Sequence, residues 1–169
     1  MNKKKLKSIY LNMLEKYLKI NYIELKDKGN RVCIDVRTEE EFILMNFFDN
    51  NIPVITKEYH YEILKYKILA PVLIIISIME KKEYIDLELM RLSSNKTKPL
   101  LFACSNGLLR SPALYFYAKF KGIDAVVLKG GLKHRFSKDI QSKYFNNIKG
   151  CTITNQVVIN NEYEEEYTI

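Results

Sequence analysis

Cys104 and Arg110 stand with five residues between them in the run Leu-Leu-Phe-Ala-Cys-Ser-Asn-Gly-Leu-Leu-Arg-Ser-Pro, residues 100–112. The apolar residues before Cys104 predict a buried strand, and Ser111-Pro112 predicts a helix start. A chain that leaves a parallel strand and turns into a helix points successive N–H groups inward, and these add to the helix N-terminus to make an anion cradle. A thiol at the start of such a loop ionises below its ordinary value. An arginine at the far end adds a fixed charge and a fork of donors for a tetrahedral anion. Cys104 is therefore the candidate nucleophile and Arg110 its anion-binding partner. Ser105, Asn106, Gly107, Leu108, Leu109 and Ser111 are the candidate substrate-binding wall. Two chemistries use this layout: sulfur transfer through a persulfide, and phosphoester or oxyanion chemistry through a thiophosphate.

The elements that must position this loop follow from pattern. Leu6, Tyr10, Met13, Leu14, Tyr17 and Leu18 recur at helical spacing, which predicts a helix over about 4–19. Arg31 to Val36 reads as a short strand. Thr38 and Glu41 form a capping box, and three glutamates suit a helix N-terminus, so a helix is expected from Glu39 to about Phe48. Asn-Asn-Ile-Pro-Val marks a turn with a short extended piece, and Tyr59 to Leu69 reads as helix. The run after Pro71 is ambiguous between helix and strand. Glu83 to Leu92 reads as helix, and Ser93 to Pro99 as a loop. Leu100 to Ala103 is a second buried strand. Ser111 is expected to cap the helix that Pro112 opens and Gly122 stops. Asp124 to Gly131 is a third strand ending in a Gly-Gly turn, and Leu132 to Tyr144 a last helix. Strands alternating with helices imply a three-layer α/β domain with a mainly parallel sheet. The expected division is a helix and lead-in over 1–30, the α/β domain over 31–145, and a tail with an acidic end over 146–169.

The remaining chemistry-bearing residues are scattered. Cys33, Cys104 and Cys151 are far apart, no Cys-x-x-Cys occurs, and His60 and His134 are isolated. No zinc site, disulfide framework or cofactor is expected; Cys33 reads as core and Cys151 as incidental. Asp35 is expected to tie the strand end to neighbouring loops, and Arg37 to pair with a nearby acid. The net charge is +7, although Glu162, Glu164, Glu165 and Glu166 lie at the acidic end. A basic body attracts anionic partners. The lysines at 3, 4, 5 and 7, like His134, read as solvated helix residues, since no aromatic stacking platform accompanies them. The longest apolar run, Leu69 to Met79, has eleven residues against the ~20 that span a bilayer. No membrane segment or signal peptide is expected, and the expected location is cytoplasmic, where a lone thiol stays reduced.

"VCIDVRTEEEF", "NIPV", "LLFACSNGLLRS" and "VVLKGG" occur in an order and spacing that resembles the rhodanese-like domain. That family shows a strand ending in Asp-x-Arg, an acidic helix start, a His-Ile-Pro turn, a Cys loop, and a Gly-Gly turn after the next strand. The match covers about Val32 to Phe136. The Cys-x5-Arg loop is one residue longer than in many sulfurtransferases of the family and resembles that of the related cell-cycle phosphatases and arsenate reductases. It is also similar to the rhodanese domain of bacterial tRNA 2-selenouridine synthase, whose Cys-x-x-Gly-Gly-x-Arg-Ser pattern is met by Gly107, Arg110 and Ser111. Leu108 replaces that pattern's second glycine, Asn51 the usual His before Ile-Pro, and Ala103 the His the phosphatases place before Cys. No GxxxxGK[ST] is present, so the resemblance leaves two readings open: a separately encoded sulfur- or selenium-handling half beside a P-loop partner, or a stand-alone relative.

The resemblance implies a sulfurtransferase that forms a sulfur or selenium adduct on Cys104, taken from a small anionic donor. The acceptor would be a thiol, a carrier or a tRNA-modification partner, and no cofactor is implied. Two alternatives stand beside it: a Cys-x5-Arg phosphatase or arsenate reductase, and a non-catalytic rhodanese-like binding module. Phosphatase chemistry wants a general acid, and no motif marks out an Asp or Glu for it.

Overall fold

Leu100–Ala103 and Ala125–Leu128 are apolar at every position, and every one of these residues is buried. Continuous burial, rather than alternation, belongs to parallel strands covered on both faces. The computed structural model, which describes Lys16 and residues 18–133, places these two strands side by side near the middle of a five-stranded sheet. Its strands are β1 (Tyr22–Ile23), β2 (Val32–Asp35), β3 (Asn50–Asn51), β4 (Leu100–Ala103) and β5 (Ala125–Leu128). They lie in the order β1-β5-β4-β2-β3, and every pairing is parallel. The mixed α/β class expected from the alternation of elements is what the chain forms. β1 replaces part of the predicted lead-in; two residues are too few to carry a period.

Five α-helices join the strands: α1 (Glu39–Leu44), α2 (Lys57–Lys65), α3 (Ala70–Glu80), α4 (Lys82–Leu92) and α5 (Arg110–Phe120). From β2 to β3 the chain steps toward one edge of the sheet; from β3 to β4 and from β4 to β5 it steps back. Right-handed crossovers then put α1 on one face and α2 to α5 on the other. In keeping with this, α3 packs on α5. The direction of winding reverses between β2 and β4. The loops after those strands diverge, and a crevice opens at their C-terminal ends, the usual place for a ligand in such sheets.

Local chemistry explains where the helices depart from expectation. The capping box at α1 forms: the Glu41 N–H donates to Thr38 Oγ1 at 3.2 Å and the Thr38 N–H to Glu41 Oε2 at 3.0 Å. The helix ends at Leu44 rather than near Phe48, because the Arg37 guanidinium takes the Met45 carbonyl and the chain turns to bury Phe48. Thr56 caps α2, which begins two residues earlier than its apolar pattern suggested. The predicted Tyr59–Leu69 helix breaks at Tyr66, and a 3-10 turn, Lys67–Leu69, leads into the next helix.

The ambiguous apolar run is helix α3. Ala70, Ile74, Ser77 and Ile78 face inward at helical spacing, while Val72, Ile75 and Met79 are exposed. In α4, Ile85, Leu89 and Leu92 repeat the same spacing. Gly122 ends α5 with φ +75°, a conformation that suits glycine. Among the described residues no helix is long and apolar enough to cross a membrane. The predicted helices over 4–19 and 132–144, the tail, His134 and Cys151 lie wholly or almost wholly outside the described residues.

Candidate functional site

β4 ends at Ala103, which pairs with Asp35 at the end of β2, so the two loops flanking the crevice start level with each other. Cys104 is the first residue of the loop and is 3% exposed. Its Sγ accepts two hydrogen bonds, from the Gly107 N–H at 3.3 Å and from Ser111 Oγ at 3.2 Å. The Asn106 and Ser111 amides add to this field. Burial pushes the thiol up, but the Arg110 charge, the Ser111 hydroxyl and these amides together outweigh it and hold the thiol below its ordinary value.

Ser111 was expected to cap α5. The helix instead begins at Arg110, with Leu109 before it and no side-chain cap, so Ser111 lies inside the first turn. From there its hydroxyl reaches back to Cys104. The competing demand is the thiolate, which needs a donor more than the helix end does.

Two glycines let the loop close. Gly107 has φ +69°, and a Cβ there would meet the Leu128 carbonyl oxygen at 2.8 Å. Gly131, in the Gly-Gly turn after β5, has φ +68°, and a Cβ would lie 2.4 Å from the Cys104 carbonyl oxygen. Backbone therefore packs on backbone. The Leu132 N–H donates to the Cys104 carbonyl and the Lys133 N–H to the Ser105 carbonyl, both at 2.9 Å. On the other side the Tyr22 hydroxyl donates to the Gly107 carbonyl at 3.0 Å. Leu108 and Leu109 are half-buried and pack against the core, so they line the rim only in part.

Arg110 forms an ion pair with Glu41 of α1. One nitrogen, Nη1, bonds Glu41 Oε2; the other, Nη2, reaches Glu41 Oε1 at 3.2 Å and Ser105 Oγ at 2.9 Å. Ser105 Oγ in turn donates to Glu41 Oε1 at 3.1 Å. His60 of α2 brings Nδ1 to 3.7 Å from Glu41 Oε2. Burial lowers the His60 pKa further than the Glu41 charge raises it. Glu41, His60, Tyr22 and Gly131 were absent from the expected site. For Glu41 the sequence carried one sign, its place in the capping box, which explains the helix start without requiring Arg110.

Asp35 and Arg37 form a second, fully buried pair below the crevice. Arg37 Nη2 lies 2.7 Å from Asp35 Oδ2, and the Arg37 N–H donates to Asp35 Oδ1 at 2.9 Å. Burial raises the Asp35 pKa more than Arg37 lowers it. Asn51 Nδ2 donates to the Asp35 carbonyl at 2.9 Å and to the Arg37 carbonyl at 3.2 Å, tying β3 to the end of β2. The acid that Arg37 finds is thus Asp35 itself. Among the described residues no group of three His, Cys, Asp or Glu side chains could hold a metal ion.

No family model matches the chain, and no curated protein matches it. Two solved structures do. The N-terminal domain of a protein named as an ATP/GTP binding protein, from Clostridium difficile 630, is 20% identical with a TM-score of 0.56; the match covers 74% of this chain and 98% of that one. A rhodanese-like domain protein from Staphylococcus aureus is 23% identical with a TM-score of 0.44, over 70% of this chain and 94% of that one. The chain shares its α/β fold with the Clostridium difficile domain.

Proposed function

We propose that the chain is a rhodanese-like sulfurtransferase in which Cys104 carries the transferred sulfur. The observation that supports this most is the setting of Sγ: a buried sulfur at the crevice of a parallel sheet, held by the Gly107 N–H and the Ser111 hydroxyl, with its thiol pKa lowered. A structural thiol in an apolar core has its pKa raised and gains nothing from aimed donors. Here Cys104 would attack the outer sulfur of a donor, the donor's S–S bond would break, and the leaving group would take the electron pair. The adduct is Cys104–S–S⁻, or its selenium counterpart, and the loop amides lie at its base. A thiol, a carrier protein or a tRNA-modification acceptor would then take the sulfur. The name of the Clostridium difficile protein, whose N-terminal domain shares this fold, supports placing a nucleotide-binding partner beside the chain.

Asp35 and Arg37 serve this reading as support. Arg37 holds the Met45 carbonyl at the end of α1, the helix that carries Glu41, and Asp35 fixes Arg37. The phosphatase reading is disfavoured because Arg110, which would clamp a phosphoryl group, is engaged with a carboxylate. The test is mass spectrometry of the intact protein after incubation with a sulfane-sulfur donor. A gain of one sulfur atom on Cys104, absent in Cys104→Ser, is the expected result. Hydrolysis of p-nitrophenyl phosphate, lost in Cys104→Ser and without any sulfur adduct, would overturn the proposal in favour of a phosphatase.

A further inference from the structure

An arginine that serves anionic substrates is most useful when its charge is left for them. In this chain Arg110 is only 11% exposed, and the carboxylate it faces, Glu41, is 4% exposed. A pair so sheltered from water is weakly screened. Among the described residues, the charged side chains bonded to one another at the Cys104 loop are Arg110 and Glu41. Burial favours the neutral form of His60, and Asp35 and Arg37 cancel each other. Glu40 adds to the negative side, since its charge reaches His60. Lys133 joins the loop through its backbone N–H. Cys104, Arg110 and Glu41 by themselves therefore carry one more negative charge than positive once Cys104 has ionised.

From this balance we infer that Glu41 sets the charge of the sulfur donor: by occupying Arg110 it suits the site to an organic persulfide of low charge and turns away dianions such as thiosulfate and phosphate monoesters. The inference rests on the sulfurtransferase reading for the donor and on geometry alone for the charge. The step is Cys104–S⁻ + R–S–SH giving Cys104–S–SH + R–S⁻. One S–S bond forms and one breaks, the electron pair leaves on the thiolate R–S⁻, and the proton stays on the transferred sulfur until solvent takes it. No outside oxidant or reductant is needed. Glu41 touches neither sulfur, so its part is one of selectivity. Gln at the same place keeps an acceptor for the Thr38 N–H, and so keeps the helix cap while removing the charge.

The test separates charge from chemistry. The rates of alkylation of Cys104 by neutral iodoacetamide and by anionic iodoacetate are compared in the wild type, in Glu41→Gln and in a free small thiol. In parallel, kcat/KM is measured for thiosulfate and for a small alkyl persulfide with an uncharged side chain. The expected wild type favours iodoacetamide more than the free thiol does, and uses the persulfide better than thiosulfate. Glu41→Gln should shift both ratios toward the anion by at least about threefold. A wild type that favours iodoacetate relative to the free thiol overturns the inference without any variant. Unchanged ratios in a folded Glu41→Gln overturn it as well. A shifted alkylation ratio with no sulfur transfer from either donor upholds the charge role of Glu41 and overturns the persulfide assignment together with the sulfurtransferase reading.

Discussion

Ser111 lies seven residues beyond Cys104, yet its hydroxyl is one of two hydrogen bonds to Sγ. A bond to a charged group contributes about 1.5–3 kcal/mol, so Ser111→Ala should move the thiol pKa upward and slow alkylation of Cys104 at neutral pH by about tenfold or more. The pH profile of iodoacetamide alkylation measures this; a profile that stays in place would remove the hydroxyl from the account. A second expectation compares the two described cysteines. Cys33 is the more exposed, but burial raises its thiol more than Lys28 lowers it, whereas Cys104 is buried with its thiol lowered. Reactivity follows the thiolate, so iodoacetamide should label Cys104 ahead of Cys33. Peptide mapping after brief labelling decides it, and prior labelling of Cys33 would mean that exposure governs here. The place of Cys104 at a strand end and of Arg110 at the far end of its loop was legible from residue type and spacing. Ser111 was expected both in the wall of the loop and as a helix cap; the cap does not form, and nothing local in the sequence announces that its hydroxyl reaches Cys104 instead.

At the scale of elements, the Cys loop and the Gly-Gly turn behave as one piece, since Gly131 allows their backbones to touch. Gly131→Ala meets both a positive φ and a carbonyl oxygen 2.4 Å away, whereas Gly130→Ala meets the positive φ alone, with nothing within 4 Å of its Cβ. Strained backbone of this kind costs of order 1–3 kcal/mol, and Gly131→Ala should lose clearly more stability than Gly130→Ala in urea unfolding. Equal losses would show that the close approach relaxes freely. The two glycines are equivalent to a reader of the sequence, which marks a turn after β5 and no more. Strands β4 and β5 were legible because full burial leaves an unbroken apolar run. The run after Pro71 could not be settled, because an apolar surface on α3 hides the helical period that burial alone would have revealed. The end of α1 was missed because it depends on Arg37 reaching the Met45 carbonyl, a contact made across a turn.

For the whole molecule, the alternation of strand and helix foretold a parallel α/β sheet but not the order β1-β5-β4-β2-β3. That order decides which loops face one crevice, and so it brings Glu41 beside Arg110 although 69 residues separate them. It also couples the site to the stability of the fold. The Cys104 thiol is lowered in the folded chain from an ordinary value of 9.0. Between the folded value and 9.0 the unfolded chain holds the proton that the folded chain has lost, so stability rises with pH there. The contribution is complete above 9.0 and disappears as pH falls through the folded value. Urea titrations across this range should show the rise in the wild type and a flatter course in Cys104→Ser; parallel curves would place the thiol outside the linkage. The bonds from the Leu132 and Lys133 amides to the Cys104 and Ser105 carbonyls carry one more consequence. Those two protons can exchange with solvent deuterium only when the Cys loop lets go of the segment that follows the Gly-Gly turn. Their exchange is thus a built-in clock for the loop, readable in the free protein and again after incubation with a sulfane-sulfur donor.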